Sequence, residues 1–225
     1  MISREIAFTR PPTAQEAVLE ELRLRLTSGS IAQDGHILPD DIAASLGVSR
    51  GPVREALKIL VGEGLVTYHA HRGYFVRKLD YSDLKEIYRI RALLEAEVIR
   101  EAVPRASSEL AKTLDRLCSD MEAADSESEL AQLQVLNRAF HFEIFSMSGL
   151  EHFIEHLRMA WNRTDPYRAL YYSSAANREC VHAEHRSIVD AIRQSDVSAT
   201  VELVDSHRAK ALENLQGALE RLGAP

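Results

Sequence analysis

The chain has 225 residues, of which 45% are hydrophobic and 27% charged, and it carries a net charge of −7. This is the balance of an ordinary globular protein with enough apolar mass for one large core or two small ones. It excludes a membrane span, because no stretch approaches the roughly 18 uninterrupted apolar residues required, and the opening MISREIAFTRPP lacks the apolar run of a signal peptide or anchor. The two cysteines, Cys118 and Cys180, have no CxxC spacing. They point to buried thiols in a reducing cytoplasm rather than a disulfide framework or a zinc ribbon. The charge is unevenly divided: residues 1–78 hold 10 Lys+Arg against 9 Asp+Glu, and residues 79–225 hold 17 against 25. An acidic body with a near-neutral head still binds DNA if the head's cations share one face.

Two domains are expected, 1–78 and 79–225. The first helix spans Thr13–Thr27, with Ser28-Gly29-Ser30 ending it. Pro39–Leu46 is a short helix with Pro in its first turn and Asp40 and Asp41 at its positive end. Gly47-Val48-Ser49 makes a tight turn, and Ser49 is the expected cap of a helix from Arg50 to about Val61. Gly62 and Gly64 stop it. Leu65 to Lys78 is rich in Val, Tyr, Phe and Thr, broken at His71-Arg72-Gly73, and reads as a β-hairpin. Helix, short helix, turn, helix and hairpin is the order of a winged helix-turn-helix, whose second helix of the pair enters the DNA major groove. Arg50 and Arg54 are one turn apart at the start of that helix, where the planar guanidinium fork suits guanine edges and phosphates. Gly51 keeps the surface low between them. Lys58, a turn further on, is placed for a phosphate, and His71, Arg72 and Gly73 form a small cationic wing tip. Taken alone, the two arginines would read as solvated surface residues; within the complete pattern they read as DNA contacts.

These residues carry a resemblance. LGVSRGPVREALKILVGEGLV followed by HRGYFV resembles the DNA-binding domain of GntR-family bacterial transcription regulators, over about Val18 to Val76. The resemblance implies that Arg50, Gly51 and Arg54 read the operator and that Gly73 lies at the wing tip, with Ser49 beside them. Two departures are visible. The chain has QDG where many members have PG, and Asp40 stands near a position where some members carry a DNA-touching arginine.

After a linker at Lys78–Asp83, with Asp80 or Ser82 as cap, apolar residues recur at helical spacing in six segments: Ser82–Val103, Ser107–Ala124, Glu129–Met147, Leu150–Trp161, Ala176–Arg193 and Ser198–Leu222. Such stripes predict an antiparallel helical bundle, so the fold class is mainly α, a winged helix-turn-helix followed by the bundle. Five polar residues interrupt the stripes: Arg91, Asn137, His141, His185 and His207. One inward histidine is usually a core residue bonded to backbone. Three from three helices, with Asn137 one turn from His141, suggest a site for a divalent transition metal, zinc foremost and nickel or manganese as alternatives. Arg91 then serves an anionic group, or else forms a buried salt bridge with Glu95. His182 lies on the flank of its helix, at the pocket wall or at the surface.

The body is similar to the FCD effector domain of the same family, through YRIRALLEAE, NRAFH, HAEHRSIVDAI and DVSATVELVDSH. The resemblance implies Asn137, His141, His185 and His207 as metal ligands and Arg91 as a residue holding an organic-acid effector. Asn137 replaces the more common Asp, and Leu150 replaces the Asn of the family's SGN. Two enzyme readings compete. His152-Phe153-Ile154-Glu155-His156 matches the inverted zinc-protease pattern HxxEH, although both histidines face away from the apolar side of their helix. The inner cluster as a hydrolytic centre lacks an evident general base, since Glu184 points elsewhere on the wheel than His185. The combined expectation is a cytoplasmic, homodimeric regulator, a repressor by preference, that binds a palindromic double-stranded operator and responds to a small carboxylate. A regulator that senses the metal itself is the alternative.

Overall fold

The computed structural model of the chain describes residues 12–27, 30–125 and 129–221. It forms two compact units that divide between Arg77 and Lys78. Ser28, Gly29 and Leu222, assigned above to helix ends, lie outside the described residues.

The first unit contains α1 (Ala14–Thr27), β1 (His36–Ile37), α2 (Pro39–Leu46), α3 (Arg50–Gly62), β2 (Val66–His69) and β3 (Gly73–Val76). Val53, Ala56, Leu57 and Leu60 of α3 are buried at the i, i+3, i+4, i+7 spacing of one helix face. They meet Val18, Leu22 and Leu26 of α1 in a separate small core. Burying a leucine such as Leu57 completely makes its truncation to Ala cost about 2–5 kcal/mol. Gly47 ends α2 at φ 65°, the left-handed conformation that glycine adopts without a Cβ clash. Two details differ from expectation. Ser49 occupies the N-cap position of α3, but its side chain makes no cap hydrogen bond. The wing is a three-stranded antiparallel sheet in the order β1-β3-β2, because His36-Ile37 pairs with Tyr74-Phe75. A two-residue strand is too short to leave an alternation in sequence.

The second unit contains α4 (Tyr81–Ala102), a 3₁₀ turn at Val103–Arg105, α5 (Ser108–Ala123), α6 (Leu130–Ser146), α7 (Glu151–Tyr172), α8 (Ala175–Arg193) and α9 (Val197–Arg221). Asp80 and Asp83 form a reciprocal capping box at the start of α4, which makes Asp80 the cap rather than Ser82. Ser107 caps α5 through the Leu110 amide. The bundle closes with α4 against α7 and α9, and α8 against α5 and α9. Phe140, Phe145, Leu157, Trp161, Val181 and Ile188 fill its centre.

The main correction to the expected elements is α7. It does not stop at Trp161 but runs eleven residues further, through Pro166. Proline lacks the N–H that would bond the carbonyl four residues back, so it normally marks a helix end. Here the helix continues because its far half is anchored: Tyr167 is buried, and its hydroxyl accepts from the Leu79 amide at 2.6 Å.

Candidate functional site

The cations expected at DNA are on the surface of the first unit. Arg50, Gly51, Arg54 and Lys58 on α3 are exposed, as is Ser49 before them. Around a Cβ built on Gly51 there is no heavy atom within 4 Å, so that side of the helix is open to an approaching backbone. Arg50 Nε lies 2.8 Å from Asp40 Oδ1, with both side chains more than half exposed. Asp40 therefore supplies no cation of its own and instead holds the neighbouring arginine. Lys58 pairs with Glu55 at 2.8 Å. At the wing tip His71 and Arg72 are exposed, and Arg72 lies over the Phe75 ring at 5.5 Å. Gly73 sits at φ 91°, which favours glycine, and a Cβ there would fall 2.9 Å from the exposed His36 ring, which would have to shift.

In the second unit, the three inward histidines come together, and Asn137 lies one turn from His141 on the same helix. Asn137 and His141 project from α6, His185 from α8 and His207 from α9, all buried. The ligand atoms of the three histidines lie within 4.8 Å of one another. His185 and His207 have ring centres 4.9 Å apart, and His141 is 5.3 Å from each. Both ring nitrogens of His141, both of His185 and both amide atoms of Asn137 are buried without a hydrogen-bond partner. Buried polar groups are normally satisfied, so six unsatisfied atoms on three adjoining residues need an explanation. Burial, reinforced by the neighbouring imidazoles, holds His141 and His185 well below the usual histidine range. They are neutral near pH 7, which is the form that donates a lone pair to a metal. His207 differs: its Nδ1 lies 2.7 Å from Glu184 Oε2. That contact leaves Nε2 for the cluster and has the carboxylate-histidine arrangement common behind metal ligands. Burial would raise the Glu184 pKa, but the bonds from His207 and Lys210 outweigh it and keep the carboxyl ionised. The residue types, their neutrality and the unsatisfied nitrogens fit a divalent transition metal.

Arg91 is buried nearby, but its charge is already taken. Its Nε donates to Glu95 Oε1 at 2.9 Å, and its guanidinium stacks on Trp161 at 4.1 Å. Glu95 also accepts from Arg208 at 2.7 Å and from Trp161 Nε1 at 2.9 Å. The salt bridge with Glu95 that the sequence offered as the alternative for Arg91 is thus present. His182 faces outward from the cluster, with Nε2 3.2 Å from Asp125 Oδ2, which places it in an ion-pair network with Arg178. His152 and His156 are exposed, and His156 Nδ1 turns back to the His152 carbonyl at 2.8 Å, so the HxxEH pattern converges on nothing. Two residues near the cluster escaped the sequence reading, Arg168 and Tyr172, while Glu184 was weighed there only as a general base. Arg168 and Tyr172 lie on the part of α7 beyond Pro166, at positions that continue the Leu157/Trp161 stripe. Extending that periodicity through the proline would have found them.

Comparison with known proteins agrees with both halves. Residues 14–76 match the family described as bacterial regulatory proteins, gntR family, and residues 86–210 match the FCD domain. The Nta operon transcriptional regulator of Aminobacter aminovorans is 32% identical over 187 residues, covering 81% of this chain and 87% of that protein. The transcriptional repressor GlaR of Escherichia coli is 30% identical over 201 residues, covering 82% and 90%. The gluconate operon transcriptional repressor of Bacillus subtilis is 34% identical over 150 residues, covering 66% and 59%. Among solved structures, E. coli McbR/YncC superposes with a TM-score of 0.84 at 22% identity, covering 92% of this chain and 99% of that one. That likeness speaks for the fold. No helix among the described residues is long and apolar enough to cross a membrane. From the recognition helix and wing to the helical body, the chain belongs to the GntR family of bacterial transcription regulators, with an FCD domain following the DNA-binding head.

Proposed function

We propose that this regulator senses a small organic acid through a metal held in its helical body. Asn137, His141, His185 and His207 are the proposed ligands, and zinc is the first candidate, with nickel and manganese next. The observation that carries the proposal is the set of six unsatisfied buried atoms on Asn137, His141 and His185. A divalent metal offers a Lewis-acidic centre to which a carboxylate binds. The name of the gluconate operon repressor supports an acid of this kind. Two heads of a homodimer on a palindromic operator supply the affinity that one small head lacks, with Arg50, Arg54, Lys58 and the wing tip as contacts. The effector acts by binding the DNA-competent and DNA-incompetent states unequally. Relief of repression is the proposed sign.

The test is operator binding by the full-length zinc-loaded protein, measured by fluorescence anisotropy on the DNA upstream of its own gene while simple organic acids are added. The proposal predicts that one acid weakens binding in the wild type and has no effect in His185→Ala. A protein whose DNA affinity follows added zinc and ignores every acid would be a metal sensor instead. Equal response of wild type and His185→Ala would remove the site from the mechanism.

A further inference from the structure

Asn137 and the three histidines carry no negative charge of their own to offset a metal ion. Arg91 and Arg208 share Glu95, whose side chain is 1% exposed. Arg138 and Arg168 share Asp165: Arg138 Nη1 is bonded to it, while Arg168 Nε stands 3.7 Å away, beyond a proper hydrogen bond. Arg208 has a second partner in Asp205, but that carboxylate is 65% exposed. Four arginines, of which Arg138 is partly exposed, thus meet Glu95 and Asp165, while the largely buried Glu184 backs His207. A divalent metal on neutral ligands would add two positive charges to this interior, which calls for an anion.

One of these arginines is only partly committed: Arg168 stacks on Trp161, stands near Asp165 and lies beside the Tyr172 phenol, on which its charge acts. Arg168 Nε is buried without a hydrogen-bond partner, and so is the neighbouring Tyr172 hydroxyl. Both residues are more than nine-tenths buried. Burial pushes the Tyr172 phenol up to about 12, against the opposing pull of Arg168, so it is a proton donor at neutral pH. Two adjacent unsatisfied donors, a guanidinium N–H and a phenolic O–H, match the two oxygens of one carboxylate. Both groups adjoin Trp161: His141 packs on that indole at 5.0 Å between ring centres, and the Arg168 guanidinium packs on it at 4.6 Å. The Arg168 charge also reaches His141 and His185, whose charged forms it disfavours, so the pair and the cluster belong to one interior region.

We infer that Arg168 and Tyr172 are a second anchor, and that the effector is a short dicarboxylate with one carboxylate at the histidine cluster and the other on this pair. The inference rests on the proposed carboxylate sensing and deepens it. It moves the anion-binding role from Arg91 to Arg168 and leaves Arg91 to Glu95.

The experiment is calorimetric titration of the full-length zinc-loaded protein with malonate, succinate and glutarate, with acetate and propionate as one-carboxylate controls. Zinc content is measured on every sample. One dicarboxylate should bind about ten-fold or more tightly than either control, as a charge-assisted pair implies. Arg168→Gln should reduce it to the control level with zinc retained, Arg168→Lys should recover part of the difference, and Tyr172→Phe should lose less than Arg168→Gln. If Arg168→Gln fails to fold, as judged by circular dichroism, Tyr172→Phe alone decides. No preference for two carboxylates, or a preference that survives in Arg168→Gln or unchanged in Tyr172→Phe, overturns the second anchor. Wild-type protein that takes up no zinc, yet shows Arg168-dependent dicarboxylate binding, overturns the metal reading and leaves the anchor standing. Binding of no acid at all overturns both.

Discussion

Glu95→Gln is the substitution whose consequence follows most directly from the packing. The carboxylate lies between Arg91 and Arg208 and also accepts from the Trp161 indole. Glutamine keeps the size but loses the charge, and only one of its two terminal atoms accepts a hydrogen bond. Arg91, 3% exposed, is then left with Thr164 Oγ1 at 3.4 Å and the π-faces of Trp161 and Tyr88. Arg208 is better off because it retains Asp205. Removing one member of a buried pair costs about 3–5 kcal/mol, because a desolvated charge loses its counterion. For a unit of this size, that lowers the melting temperature by roughly 10 °C. Burial by itself would raise the Glu95 pKa, but the two arginines outweigh it and hold it below the normal glutamate range. The carboxylate's contribution is therefore full above the unfolded pKa, about 4.3, and is lost as pH falls through the lower folded value. The assay is thermal melting by circular dichroism between pH 3 and 8. Glu95→Gln should melt well below wild type at pH 7, and the gap should close in acid. Replacing all three charges together, Arg91→Met with Glu95→Leu and Arg208→Met, should recover most of the loss, because no buried charge is then left alone. A melting point for Glu95→Gln within about 2 °C of wild type at pH 7 would refute the reasoning.

Four further outcomes are expected. Arg54→Ala should weaken specific operator binding by about ten-fold or more if the guanidinium reads a base, while Lys58→Ala should weaken all DNA about equally and flatten the salt dependence, both by anisotropy titration. Asp40→Ala frees Arg50 from its exposed ion pair and should raise non-specific DNA affinity; an unchanged affinity would show that the pair is irrelevant at the interface. Gly73→Ala should destabilise the wing, because the φ of 91° opposes a Cβ, and hydrogen exchange of the β3 amides should report it. In metal-free protein, the depressed pKa values of His141 and His185 predict stability that is full above pH ~6.5 and falls as the pH drops below it, a slope that should vanish in His141→Ala with His185→Ala.

Most of the architecture was legible because its signals are local. Turn, recognition helix and wing follow one another with caps, glycines and apolar spacing that need no long-range information. The inward direction of Asn137, His141, His185 and His207 was legible for the same reason: a polar residue in an apolar stripe shows in the periodicity of its own helix. What failed depended on a neighbour. The direction of Glu184 on α8 was visible, but that it meets His207 of α9 was not, because a helical wheel says nothing about what the next helix presents. Arg91 and Glu95 are four residues apart, so their pairing was open to the sequence, whereas the Arg208 that shares Glu95 comes from the other end of the bundle. Arg168 and Tyr172 were lost with the second half of α7, because Pro166 is locally a stop signal and only the packing of Tyr167 and its neighbours overrides it. His182 shares the VHAEH segment with His185 but faces Asp125, three residues being enough to turn it off the inner face.

The central claim is that three histidines and an asparagine from separate parts of the bundle make one metal site. The most direct measurement is metal content after zinc loading and extensive dialysis, by mass spectrometry of the metal against protein concentration, for wild type, His185→Ala and His182→Ala. The account predicts one zinc per chain in wild type and in His182→Ala, and none in His185→Ala. Wild type that holds no metal, or His185→Ala that holds as much as wild type, would contradict it.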